Sequence, residues 1–455
     1  MKITTPPSEK EQRKLLHEFL KKSPHKIEQY LELNSPVDSK GRYLSFDELQ
    51  YRVDKSVNAK LAWQFVKRAR QNQLKPVIAL GSPPIECEFF LTHIIQKACS
   101  EVDRHTTNAA LELMCSKIGE QKNFEYLIND LIEDEAIGSS QLEGAATTTR
   151  VAKTLLKRQR KPRTPDEKMI LGNFNMMHFA WEHRDELLSL DLIKELHIAG
   201  VKGIQDNKYY PGRIRDTDDV EIVDEIGNVI YTPPSSQGLK ERLEKLSNWA
   251  NIQHHEVDSS NYLHPLIKAI TLHFAIGYEH PFYDGNGRVA RSLFYWYMFK
   301  NRFAAFRYIT ISSLLKKAPA QYAKSYLYTE TDNMDLTYFL NYQCDIITRA
   351  IKRFRTTYEK NLKNMEDFNQ WLWESGLYEQ LNHRQRIILQ VAKNGVVSYF
   401  TTNEVKNNLS CSYNTAANIL NKLVDLKLFR KEKKGREWVF SMLDKKEIIR
   451  DWEIN

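Results

Sequence analysis

The sequence predicts a mainly α-helical protein of several domains, with a short β-hairpin near its middle and a small basic module at its C-terminal end. Three observations carry that expectation. The chain has 455 residues, and at roughly 100–200 residues per domain this corresponds to two to four folding units. Apolar residues recur every three to four positions over long stretches, as at Leu127, Ile128, Leu131, Ile132 and Ile137 within 126–142 and again across 262–278, which is the helical period. The clear hairpin signal before residue 380 is DDVEIVDEIGNVIYTPP, two β-rich runs around Gly227-Asn228.

Composition narrows the classes. Hydrophobic residues make up 42% and charged residues 27%, a folded-protein balance that excludes wholesale disorder. No run approaches the ~18 apolar residues of a membrane span, and the N-terminal MKITTPPSEKEQRKLLHEF has no apolar core of a secretory signal. Five scattered cysteines form no CxxC, which argues against a disulfide or zinc framework and for a reducing compartment. A cytoplasmic protein without membrane contact is expected. The net charge is +8, and from Arg384 onward there are 14 Lys/Arg against 8 Asp/Glu. The excess is therefore concentrated at the end of the chain, a hint of a polyanionic partner.

Breaks at LGSPPIE near Gly81, at KRQRKPRTPDE from Lys157 and between 209 and 236 divide the helices. The expected organisation is an N-terminal helical region (1–120), a main domain (121–350), a helical connector (351–382) and a C-terminal domain (383–455).

The most informative stretch is HPFYDGNGRVAR, residues 280–291, between two apolar helical segments. Gly285 and Gly287 around Asn286 at a helix start free several backbone N–H groups to converge on an anion, aided by the positive helix end. Arg288 and Arg291 are three apart, so they share a face of the first turn and suit a polyphosphate. Asp284 is a hard oxygen ligand suited to Mg²⁺, and His280 is the side chain able to accept a proton near neutral pH. His264, His273 and His280, nine and seven residues apart, do not have the tight helical spacing of a zinc site. Buried, hydrogen-bonded histidines are expected instead.

The stretch resembles the HPFxxGNGRxxR signature of the Fic domain family and matches it at every fixed position. The likeness extends over about residues 125–350, through HPLIKAITLHFAIGYE before the motif and PGRIRDTDDVEIV…YTPP, which is similar to the family's flap. The resemblance implies a Fic-type helical bundle core with a small hairpin flap, and transfer of AMP from ATP to a protein hydroxyl. It implies His280 as the catalytic base, Asp284 holding Mg²⁺, and Asn286 with the Gly285 and Gly287 amides cradling the α-phosphate. Arg288 would take the β-phosphate and Arg291 the γ-phosphate, with Phe282 in the core. Val220, Glu221, Ile222 and Val223 would form the flap strand that aligns the target by strand addition. Tyr322, in AQYAKSY, is the candidate for contact with the adenine.

A second match, SSQLEG at 139–144, resembles the family's inhibitory (S/T)xxxE(G/N) motif. Ser139 and Glu143 are four apart and share one face of a helix expected over about 126–144, which Gly144 can close. The resemblance implies that Glu143 pairs with Arg291 and holds the enzyme off. Nucleotide-binding candidates are therefore Glu143, 220–223, His280, 284–288, Arg291 and Tyr322.

From His383 the chain reads as a helix, a short helix capped at Thr402, a longer helix, and a basic hairpin around Gly435. That order resembles a winged helix-turn-helix. Tyr413, Asn414, Thr415 and Asn418 would start the recognition helix, and Lys431, Lys433, Lys434 and Arg436 would form the wing. Such domains bind DNA, dock proteins or form dimers, so a homodimer stands beside DNA as an expectation. The competing functions are an adenylyltransferase, self-modifying and self-inhibited; an ATP-sensing transcriptional regulator; and a family relative that removes AMP or transfers phosphate.

Overall fold

Two helices joined by a tight loop, Pro265–Glu279 and Asn286–Lys300, lie at the centre of the fold. Nearly every residue of both is buried, so they are apolar all round rather than striped, as core helices are. The first begins with Pro265 at N1 and with His264 as its cap, whose Nδ1 accepts from the Leu266 N–H at 3.0 Å. The Pro165–Glu182 and Leu190–Val201 helices pack on each other and on Asn286–Lys300, and Leu239–Asn251 packs on Pro265–Glu279. Together these helices hold the 280–285 loop.

The structure, a computed structural model, describes residues 3–118, 130–157, 160–204, 210–223, 227, 229–254, 261–393, 399–435, 437–444 and 447–448. The expected helix start at 126–129, Asn228 of the hairpin turn and Arg436 of the basic hairpin lie outside them. Within the described residues the fold is mainly helical, and no helix is long and apolar enough to cross a membrane.

The chain divides into two compact units. One contains Met1–Thr107, Glu133–Phe306 and Thr310–Ala350; the other contains Asn108–Ile132, Arg307–Ile309 and Ile351–Asn455. This differs from the linear division at 120, 350 and 382. Residues 1–107 are tied into the first unit by long-range bonds, such as Phe90 N–H to Thr337 Oγ1 (2.8 Å) and Tyr43 O–H to Asp335 Oδ2 (2.6 Å). The Thr337–Glu374 helix runs unbroken past 350 and through much of the expected helical connector at 351–382.

In the first unit LGSPPIE is not simply a break. It is the turn of an antiparallel hairpin, Lys75–Leu80 with Ile85–Phe89, pairing Lys75 with Phe89 and Leu80 with Ile85. Pro76 is accommodated there because it lies at a register shift between Pro76 and Ile78, in a two-stranded sheet whose strands are both edges. The 222–231 hairpin is present but short, Ile222–Val223 with Val229–Tyr231. Val220 and Glu221, expected in the same strand, precede it as irregular chain.

In the second unit the His383–Lys393, Thr402–Asn408 and Tyr413–Asp425 helices are followed by the antiparallel strands Phe429–Lys434 and Glu437–Met442. The cap of the short helix is Thr401, not Thr402. Its side chain accepts from Glu404 N–H while Glu404 Oε2 accepts from Thr401 N–H (2.9 Å), a reciprocal capping box. Phe400 bridges to Phe440, and Ile388, Leu389, Val405, Leu420, Leu423 and Phe429 are buried among these elements.

Candidate active site

His280 ends the Pro265–Glu279 helix in the left-handed region, at φ +48°. For a residue with a Cβ this costs about 1–2 kcal/mol, and Pro281 then prevents the helix from continuing. Nδ1 of His280 lies 3.2 Å from the Gly277 carbonyl. A carbonyl only accepts, so Nδ1 carries the proton and Nε2 presents its lone pair. Burial holds the imidazole below its ordinary pKa despite the bond to Gly277, and the Arg215 charge pushes the same way. The ring is thereby kept neutral and able to accept a proton.

The loop after His280 is shaped by Asn286. Its Oδ1 accepts from Phe282 N–H (2.8 Å) and its Nδ2 donates to the Phe282 carbonyl (2.7 Å). The Asn286 side chain thus closes the loop onto Phe282 at the start of the Asn286–Lys300 helix. Gly285 has φ +88°, and a Cβ there would press on the His197 ring and the Arg288 guanidinium. Asp284 Oδ1 accepts from Gly285 N–H at 2.5 Å. Phe282 is fully buried, as expected, and stacks on His197 with centroids 3.9 Å apart.

His197 was not singled out in the sequence. Its Nδ1 accepts from Gly212 N–H (3.0 Å), so Nε2–H donates to the Asp284 carbonyl (3.0 Å). Burial pushes its pKa down to about 4. Its only sequence signal is a histidine on the inner face of an apolar helix.

Arg291 is where the distant segments meet. Its Nε donates to Ser139 Oγ (3.0 Å), and its Nη2 donates to the Ser139 carbonyl (3.3 Å) and Glu143 Oε1 (2.7 Å). Burial lowers the guanidinium pKa, but the Glu143 charge and hydrogen bond, together with Tyr322 and Glu135, outweigh it and the pKa is raised. Glu143 follows the end of the Asp130–Leu142 helix, where Gly144 turns the chain at φ +94°. A Cβ on Gly287 would collide with the Glu143 carboxylate, so that carboxylate lies directly against the first turn of the Asn286–Lys300 helix. The Asp130–Leu142 helix, which leads to Glu143, is seated by buried Glu135, which accepts from Ser312 N–H (2.9 Å) and Oγ–H (2.5 Å), and whose pKa burial raises. Arg288 is buried, with Nη1 donating to the Gly200 carbonyl (3.3 Å). Tyr322 lies in the field of Arg291 and Glu143, with its hydroxyl 2.7 Å from His273 Nε2.

The flap hairpin carries Val223 and Val229 about half exposed, at 52% and 51%, so it offers apolar side chains at its surface. Below it sits a second residue absent from the sequence reading, Arg215, whose guanidinium donates to the His280 carbonyl (2.8 Å). His264 and His273 are buried and bonded, His264 Nε2 to Asp103 (3.0 Å) and His273 to Tyr322. In the second unit Tyr413, Asn414 and Asn418 are exposed at the start of their helix, and Thr415 is half-buried. Lys431 and Lys433 flank exposed Trp438, 4.9 and 6.0 Å from its ring, and Lys434 lies 5.5 Å from the Tyr399 ring.

Residues 187–298 match the Fic/DOC family. The chain is 35% identical over 63 residues to the protein adenylyltransferase Fic of Drosophila virilis, a match covering 14% of this chain and 12% of that protein. Among solved structures it is similar to a Fic family protein from Desulfovibrio desulfuricans G20, with 14% identity and a TM-score of 0.49 over 78% of this chain and 97% of that one. It is also similar to Fic-1 (residues 134–508) from C. elegans, with 17% identity and a TM-score of 0.47 over 69% and 80%. With the matched segment enclosing the loop and helix start from His280 to Arg291, residues 187–298 are a Fic domain.

Proposed function

We propose that this protein is a protein adenylyltransferase, transferring AMP from ATP to a Ser, Thr or Tyr hydroxyl of a target protein and of itself, and restrained by Glu143. The observation that carries the reading is the pairing of a proton acceptor with an anion cradle. The Nε2 lone pair of His280 is set by the Gly277 bond, and the loop leads directly into the amide end of the Asn286–Lys300 helix.

In the reaction, Nε2 accepts the proton of the target hydroxyl as its oxygen attacks the α-phosphorus. A new P–O bond forms to the target, the α–β bridging bond breaks, and pyrophosphate departs with that electron pair. The Asn286 and Gly287 amides, with Arg288 and Arg291, would bind the phosphate oxygens. Tyr322, on the helix beside Arg291, stays the candidate for the adenine.

Asp284 fits Mg²⁺: a nucleotide-bound Mg²⁺ needs one or two carboxylates plus phosphates and water, not a protein cage. The absence of a cluster of three ligating residues among the described residues is therefore no objection. Bound there, the ion would neutralise charge between the α- and β-phosphates.

Glu143 supports self-restraint because it already holds Nη2 of Arg291, the donor that would grip the γ-phosphate. Intact mass after incubation with ATP and Mg²⁺ tests the reading. A gain of one adenylyl group is expected; a gain of phosphate means phosphoryl transfer, and unmodified protein with intact ATP means nucleotide sensing.

For the second unit, exposed Trp438 between Lys431 and Lys433 favours a wing that contacts nucleic acid phosphates beside a recognition helix starting at Tyr413.

A further inference from the structure

One side chain links the flap to the turn that carries His280. Arg215 is almost wholly buried, with its side chain 1% exposed. Its backbone N–H donates to the Pro281 carbonyl (2.9 Å), its Nε to the His280 carbonyl (2.8 Å), and its Nη2 to the Glu279 carbonyl (3.2 Å). Three successive carbonyls of the catalytic turn are thus held by one residue. The same guanidinium reaches both ends of the flap. Nη1 donates to the Thr217 carbonyl (3.2 Å) and Asp218 Oδ1 (3.3 Å) on the entering side, and Nη2 donates to the Pro234 carbonyl on the leaving side.

Neighbouring bonds close the frame. Asp218 accepts from Ser235 Oγ–H (3.0 Å) and Ser236 N–H (2.6 Å), tying the two flap ends together. Arg242 donates to Glu279 Oε2 (2.8 Å) and to the Ser235 carbonyl (2.7 Å), and Gly81 N–H donates to Glu279 Oε1 (2.7 Å). His280 sits at positive φ, a conformation that persists only where the surroundings over-determine it. Arg215 contributes to that determination by holding the carbonyls of Glu279, His280 and Pro281, beside the His280 N–H bond to the Ile276 carbonyl.

We propose that Arg215 is a positioning residue that fixes the His280 turn and the flap in one geometry, so that a target strand seated on the Ile222–Val223 edge arrives with its hydroxyl in register with Nε2. The inference rests on the adenylyltransferase reading for its kinetic consequence but not for its structural one. A guanidinium is required: its planar fork serves divergent carbonyls that a single ammonium does not reach together.

The test uses full-length protein in the Glu143→Gly background, with ATP and a target protein. Arg215→Gln should lower kcat by about 10²-fold, the order expected when a reacting group is misplaced by about 1 Å. It should also raise KM for the target while ATP affinity stays unchanged. Arg215→Lys should not rescue. Unaltered kinetics, rescue by lysine, or a parallel loss of ATP affinity would each overturn the proposal. If Arg215→Gln does not fold, Asp218→Ala loosens only the flap end and should raise the target KM alone; an unchanged KM overturns the coupling. If the Glu143→Gly parent transfers no AMP, the function reading fails separately. Hydrogen exchange then decides the clamp: Arg215→Gln should speed exchange in 214–223, 229–236 and 277–285 and not elsewhere, and unchanged exchange there refutes it.

Discussion

Removing the Glu143 carboxylate should accelerate AMP transfer, the reverse of the usual result of altering a residue at an active site. Glu143 sits beyond the last residue of its helix, so Glu143→Gly leaves the helix ladder intact and deletes chiefly one contact. That contact is a 2.7 Å bond between an Arg291 side chain 4% exposed and a Glu143 side chain 27% exposed. A hydrogen bond to a charged group contributes about 1.5–3 kcal/mol. At 1.4 kcal/mol per factor of ten, its loss shifts Arg291 from the carboxylate toward an incoming phosphate by roughly ten- to a hundredfold. The initial rate of AMP incorporation from labelled ATP should rise by that order. Arg291→Ala added to Glu143→Gly should cancel most of the gain, because the freed guanidinium is the group that acts. If Glu143→Gly is no faster than the parent, the glutamate is a structural residue or a catalyst of AMP removal, and the reasoning fails.

His280→Ala should reduce transfer by roughly 10²–10⁴-fold, the usual contribution of a general base, with ATP affinity retained; near-parental transfer in the same assay would remove His280 from that role. His197 titrates near pH 4 when folded and near its ordinary 6.5 when unfolded. It stabilises fully above pH 6.5, and that contribution is lost as pH falls toward 4, by about 3 kcal/mol at 1.36 kcal/mol per unit. His197→Gln can keep an acceptor for Gly212 and a donor for Asp284, so its thermal midpoint should fall less than the parent's between pH 6.5 and pH 4; equal falls would contradict the assignment. If the basic hairpin contacts DNA, replacing Lys433 and Lys434 in the full chain should lower the slope of log affinity against log salt by about 0.9 per lost contact. An unchanged slope in a binding titration would remove those lysines from the interface.

The sequence by itself determined the parts whose chemistry is local. The helix, loop and helix around 280–291 were legible because the histidine, carboxylate, paired glycines and two arginines lie within one continuous stretch, and because apolar spacing reports a helix without knowledge of its partners. The basic hairpin at Gly435 was legible for the same reason. Glu143 was legible only through its resemblance to a known motif, since SxxxEG alone does not name a partner 148 residues away. Tertiary structure decided the rest. It brought Arg215 onto the His280 carbonyl across 65 residues and His197 onto the Asp284 carbonyl across 87. It gave the Asn286 side chain to the loop rather than to the cradle, and it turned LGSPPIE into a hairpin whose Gly81 amide meets Glu279. Backbone carbonyls are present at every position, so nothing in a sequence marks which one a distant guanidinium or imidazole will find. That choice is made by burial, which requires each polar group taken from water to meet a partner in the folded chain.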